Sequence, residues 1–202
     1  ARALIMKELY HSFIEKYSYN SQWEEVFLLL CGWIGVIDGR EKEVTKIVEN
    51  LLSRKDELEN ILHKNLLLAG KIVGEGVGVQ KSLAYRIINE IVRLAVYSDY
   101  SLLRREATKV LKKCSELSAG LVLKMLSEEV DKSVRGKMVR SLGEIGSEES
   151  IPALSSIIKD KGEDEWVRDE AVRVLGEIGS EESIPALSSI IKDKGEDEWV
   201  RD

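Results

Sequence analysis

Side-chain chemistry near neutral pH often relies on an imidazole, and this chain has two, His11 and His63. They stand in unrelated segments, His11 followed by Ser12 and His63 by Lys64. A two-histidine metal site or a Ser-His-Asp relay needs partners at defined positions around each ring, and neither neighbourhood supplies them. His63, between Leu62 and Lys64, reads as a solvent-facing or capping residue of a helix. The acidic residues Asp160, Glu163, Asp164 and Glu165 gather oxygen donors, yet they lack the alternating ligands and glycine spacing of a calcium loop. Paired carboxylates working as acid and base need a cleft with unlike environments, which an exposed loop does not provide. Phosphate cradling needs Gly-x-x-x-x-Gly-Lys followed by Ser or Thr; Gly70-Lys71 runs into Ile72, and Lys81-Ser82 follows Gln80. Gly74, Gly76 and Gly78 read instead as a helix-to-helix turn. The two cysteines, Cys31 and Cys114, are far apart amid aliphatic neighbours, a pattern of buried reduced thiols rather than a disulfide framework or metal knuckle. No catalytic residue, cofactor or metal is therefore expected.

What does recur is spacing. Arg135, Arg168 and Arg201 stand 33 positions apart, as do Pro152 and Pro185, and Trp166 and Trp199. The segment "LGEIGSEESIPALSSIIKDKGEDEWVRD" runs from Leu142 to Asp169 and again, unchanged, from Leu175 to Asp202. Such a period lies in the range of helical solenoids. Val167, Ala171, Val174, Leu175 and Ile178 share one helical face, which predicts a helix over Glu165–Ile178. Asp164 or Glu165 places negative charge at its start, and Gly179 is suited to end it in a left-handed conformation. "GSEES" then turns the chain, Ser183 is positioned to cap a second helix, and Pro185 fits its first turn. Ile184, Leu187, Ile190 and Ile191 form that helix's inner face, and "KDKGEDE" closes the unit as a polar loop. Two such helices cannot cover their own apolar stripe, so units of this kind are stabilised by stacking on their neighbours.

Worn copies of the template precede these. "KSVRGKMVRSLGEIG" sets Val134, Arg135, Met138 and Leu142 in the same frame, and "SLLRREATKVLKKC" sets Leu103, Arg104, Ala107 and Leu111. Further back "LLLCGWIG" and "LLLAGKIVG" suggest diverged hairpins. The chain thus divides into a leading helical block, residues 1–97, and a repeat block, 98–202, whose last unit is truncated. Because two identical copies leave no residue specialised between them, chemistry is not expected inside them.

Composition agrees with a helical protein that has many wetted faces: 44% of the 202 residues are hydrophobic and 33% charged, with two prolines to interrupt helices. The longest apolar run, Val26 to Ile37, has 12 residues, short of the roughly 20 that span a bilayer, and reads as a core helix. No secretory signal opens the chain. Together with the reduced thiols this suggests a cytoplasmic setting. The missing initiator methionine and an end within a repeat suggest a piece of a longer polypeptide. From Asp131 onward there are 11 basic and 18 acidic residues, a balance that repels nucleic-acid phosphates and favours a protein partner with a basic or mixed surface.

The unit "VRDEAVRVLGEIGSEESIPALSSIIKDKGEDEW" resembles the HEAT-like repeats of bilin-lyase type, with their V-R-x-x-A-x-x-x-L-G-x-I-G and I-P-x-L pattern; the likeness covers Leu102 to Asp202. It implies an all-α, right-handed α-solenoid of helical hairpins that binds other proteins. The front half, with "WEEVFLLLCGWIG" and "LHKNLLLAGKIVGEG", resembles the segment that follows the nucleotide-binding part of bacterial NACHT-type (STAND) signalling ATPases. That likeness implies a C-terminal sensor arm whose target binding relieves autoinhibition, with a role in defence and oligomerisation through the ATPase part. The iron-binding HEAT-repeat hydroxylases use His-Glu pairs, which are missing here.

On this reading Arg135, Arg168 and Arg201 form a repeat junction by forking onto carboxylates or carbonyls, and Trp166 and Trp199 pack there. As the family resemblance implies, second helices line the concave side, which makes Ser155, Ser156 and Lys159, repeated as Ser188, Ser189 and Lys192, the candidate partner-binding residues; their plainer reading is a solvated helix face. The resulting expectation is a non-enzymatic recognition or scaffold arm. Its rivals are a bilin-lyase-type enzyme or lyase subunit, and a purely structural spacer.

Overall fold

Where apolar residues recur at three- and four-residue spacing the chain is helical. The computed structural model describes residues 10–17, 21–54, 59–185 and 187–188, and no strand occurs among the described residues. It separates into two units, residues 1–114 and 115–202.

In the first unit lie α1 (Tyr10–Tyr17), α2 (Glu24–Gly32), α3 (Glu41–Ser53), α4 (Glu59–Leu62), α5 (Lys64–Gly74), α6 (Lys81–Tyr97) and α7 (Ser101–Lys113). Helix α5 is central and packs on α2, α3, α6 and α7. Its Gly70 permits this: a Cβ there would run into the side chains of Ile91 on α6 and Val110 on α7, so a larger residue would force the helices apart. The apolar run expected as a core helix is α2 followed by a π-helical turn, Trp33–Ile37. It buries Phe27, Leu30, Cys31 and Ile34 on the flank that faces the unit's core but leaves Leu29, Val36 and Ile37 exposed. Phe13, Tyr17, Trp23 and Phe27 form an aromatic cluster with ring centroids 4.6–5.5 Å apart. Helix α7, read from sequence as a repeat helix, packs on α5 and α6, so the division expected after residue 97 falls inside this unit.

His63 is neither in a helix nor a side-chain cap. It sits between α4 and α5 with φ +48°, and the cap of α5 is Glu59, whose carboxylate accepts from the amides of Asn65 and Leu66 at 3.0 to 3.2 Å. A carboxylate at a helix start meets both the orphan amides and the positive end of the dipole.

The second unit holds α8 (Ser115–Glu128), α9 (Lys132–Ile145), α10 (Ile151–Lys159) and α11 (Glu165–Ile178). Equivalent positions do equivalent work at the helix starts. Asp131 caps α9 by accepting from Ser133 and Val134 at 2.8 and 3.0 Å, and Asp164 caps α11 through Trp166 at 3.1 Å. Gly146 and Gly179 end the two helices at φ +73° and +63°, where a side chain would be strained. Helix α9 packs along α11, α8 along α9, and α10 along α11. Met138, Val139, Leu142, Val167, Ala171, Val174 and Leu175 are buried between them. This is an all-α solenoid arrangement, each hairpin covered by the next.

The capping expected of Ser183 is not made. A single 3-10 turn, Glu181–Ser183, precedes the second helix, and it is Ser180 that accepts from Glu182. In the earlier copy Ser150 already has helical angles, φ −77° and ψ −20°, whereas a capping residue is extended so that its oxygen reaches back to the amides. The hydroxyls of Ser150 and Ser183 are instead buried, without a hydrogen-bond partner among the described residues.

Candidate recognition surface and repeat junctions

The strongest polar structure in the second unit is built around Arg135, near the start of α9. Its Nε donates to the Glu163 carboxylate at 3.1 and 3.2 Å, with a further short contact from Nη2. Its Nη1 donates to the carbonyls of Leu126 and Glu129 at 2.7 and 2.9 Å. One planar fork therefore ties the end of α8, the start of α9 and the loop before α11, a geometry that lysine could not reproduce. The carboxylate of Glu163 is 9% exposed, so it needs this cation. At the next copy Arg168 is half-buried and its Nε lacks a partner among the described residues; Glu196, the counterpart of Glu163, lies outside them, as do Arg201 and Trp199.

A second link crosses from α9 to α11. Glu170, with 8% of its side chain exposed, accepts from Arg140 at 2.7 Å and from Arg173 at 2.6 and 3.1 Å. Hydrogen bonds from Arg173 and then Arg140 hold its carboxyl at about 2, below an ordinary value of 4.5, against the opposing effect of burial. A carboxyl so depressed contributes stability that is complete above pH 4.5 and is lost as pH falls toward 2. Since Arg140 and Arg173 are about half exposed and screened, the contribution is roughly 1–2 kcal/mol rather than the full linkage value. Urea unfolding of the chain and of Glu170→Gln should differ by that amount at pH 6 and converge near pH 2; a difference unaltered by pH would contradict the assignment.

Trp166 lies across Gly136 of α9, where any Cβ would overlap its ring carbons, yet the indole remains 45% exposed. On α10, Ile151, Leu154 and Ile157 are buried, Ser155 is half-buried, and Ser156 and Lys159 are exposed. Both hydroxyls are turned onto the helix itself, Ser155 to the Ile151 carbonyl at 2.7 Å and Ser156 to that of Pro152 at 3.0 Å. The result is a face of small side chains beside Lys159, whose ammonium has no ion-pair partner among the described residues. Ser188 is exposed, whereas Ser189 and Lys192 lie outside the described residues.

Sequence reasoning missed Glu163, Glu170 and Arg140 as ionic partners. Glu163 had a signal, since it recurs as Glu196 with the period of the arginines. Glu170 had none: the corresponding position one repeat earlier is Lys137. Neither cysteine is in a disulfide; Cys31 is buried and Cys114 half-buried, and burial raises both thiols, Cys31 to about 12, which suppresses the nucleophilic thiolate. Among the described residues no group of His, Cys, Asp and Glu could hold a metal ion, and no helix is long and apolar enough to cross a membrane.

Residues 119–202 match the protein-family model described as HEAT repeats. Over these residues the second unit is similar to HEAT repeats. Its matched HEAT region begins inside α8, later than Leu102, and takes in both identical copies. No curated protein matches the chain. HEAT repeats commonly serve as scaffolds for binding other proteins, through surfaces that stacked helices keep in fixed register.

Proposed function

We propose that this chain is a non-enzymatic recognition arm that binds a protein target through the exposed side of its second HEAT helices, at Ser155, Ser156, Lys159 and their repeat counterparts. One observation supports it above the others: on α10 the serine hydroxyls are satisfied internally. A partner can therefore pack on them without leaving a polar group unpaired, which would otherwise be costly. The order of short motifs in the front half supports a finer reading, in which the arm is the sensor part of a cytoplasmic NACHT-type ATPase and target binding relieves autoinhibition.

The test is affinity capture with the full chain, followed by identification of the retained protein and a binding titration. Ser156→Trp combined with Lys159→Glu should weaken that complex about tenfold or more, as expected for a central contact, while Lys137→Glu on α9 leaves it intact. Equal affinity for all three chains would contradict the assignment of this face. For the finer reading, the coding sequence upstream of Ala1 should contain a Gly-x-x-x-x-Gly-Lys-Ser/Thr segment; a continuous upstream sequence without one would contradict it.

A further inference from the structure

Ile61, Tyr97 and Tyr100 are 54%, 45% and 66% exposed, and all three border one open groove of about 670 Å³ in the first unit. Leu66 of α5, Leu94 of α6 and Leu103 of α7 complete its apolar walls. The volume is that of a ligand site, and large apolar groups left together in water with a charged rim mark an interaction surface.

The rim identifies the occupant. Glu90, Arg93 and Asp99 line the groove, and among the described residues none of them makes an ion pair. Their charges are therefore open to an incoming group, unlike those of Lys71 and Glu24, paired at 2.6 Å, or Lys113 and Glu75, paired at 2.5 Å. Two carboxylates outnumber the one guanidinium, and two tyrosine rings stand beside them. Carboxylates and ring faces together attract a cation more strongly than either alone, because both present negative potential to it.

We propose that this groove docks a peptide segment of a partner protein in which a basic side chain is flanked by aliphatic ones. The cation sits against Tyr97, Tyr100, Glu90 and Asp99, the aliphatic groups cover Leu66, Leu94 and Leu103, and Arg93 donates to the peptide's carbonyls. An acidic segment would meet two carboxylates and be repelled. The groove lies wholly within the first unit, so this site stands independently of the α10 face.

The experiment is fluorescence anisotropy on the full chain with three labelled, end-blocked heptapeptides. The first is Gly-Ser-Leu-Arg-Leu-Ser-Gly, the second carries Glu in place of Arg, and the third carries Ser in place of both Leu. The arginine peptide is expected to bind saturably and about tenfold tighter than either relative, a difference that a single cation site with ring contacts supplies. Tyr100→Ser should weaken it, and Glu90→Lys with Asp99→Lys should reverse the preference toward the glutamate peptide. Ser156→Trp should change nothing, which separates this site from the one above. All the altered residues are exposed, and circular dichroism checks that each variant folds. Absence of saturable binding, equal binding of the arginine and glutamate peptides, or a preference unmoved by the charge reversal would overturn the proposal.

Discussion

Replacing Arg135 with Met is expected to destabilise the second unit by about 3–5 kcal/mol, the range for removing one member of a buried ion pair. The cost arises from what remains. Glu163 keeps a carboxylate that is only 9% exposed, and the carbonyls of Leu126 and Glu129 lose the guanidinium that both accept from. Met fills much of the volume of the arginine stem, so the loss reports the polar links rather than a cavity. Urea unfolding measures it, and Arg135→Met combined with Glu163→Leu should recover a large part, because the stranded charge is gone. A single-variant loss below about 1 kcal/mol, the ordinary size for a surface pair, would show that this junction is not structural.

Leu142→Ala is expected to cost about 2–5 kcal/mol, as large-to-small changes in a packed core do. Leu142 is fully buried on α9, and that helix packs along α11. Gly143, next to it, lies so close to α11 that a Cβ would stand 2.8 Å from a methyl of Val174. There is little slack for the helices to close over the hole, which places the loss toward the upper part of the range. The same urea series measures it; a loss under about 1 kcal/mol would mean that the site relaxes freely.

How far the sequence alone reveals this structure depends on the kind of interaction. Helix α11 spans Glu165–Ile178, the same residues that the apolar spacing of Val167, Ala171, Val174 and Leu175 picks out, since burial of one stripe and a glycine stop act locally. Capping was less legible. Asp164 and Gly179 act as their types suggest, but Ser183 does not, because it closes the 3-10 turn before the second helix and its hydroxyl is buried without a partner among the described residues. Side-chain pairing between repeats was legible only where it repeats. Arg135 and its period pointed to a junction, while Glu170 stands opposite Arg140 through the stacking of α9 on α11, a distance in space that no single-chain spacing encodes. The groove of the first unit is harder still, since Ile61 of α4, Glu90 of α6 and Tyr100 before α7 meet only once the unit has folded. The aliphatic runs of that unit announce helices, and the sequence carries no period there to reveal which faces stay open.

The second unit owes its stability to helical hairpins that hold one another up, and native-state hydrogen exchange tests that directly. Amides of α9 and α11 should open together at low denaturant, and Leu142→Ala on α9 should speed exchange in α11 by about the same free energy as in α9 itself. Exchange in α11 that is untouched by the substitution would show two helices folding independently, and would contradict a stack built on shared packing.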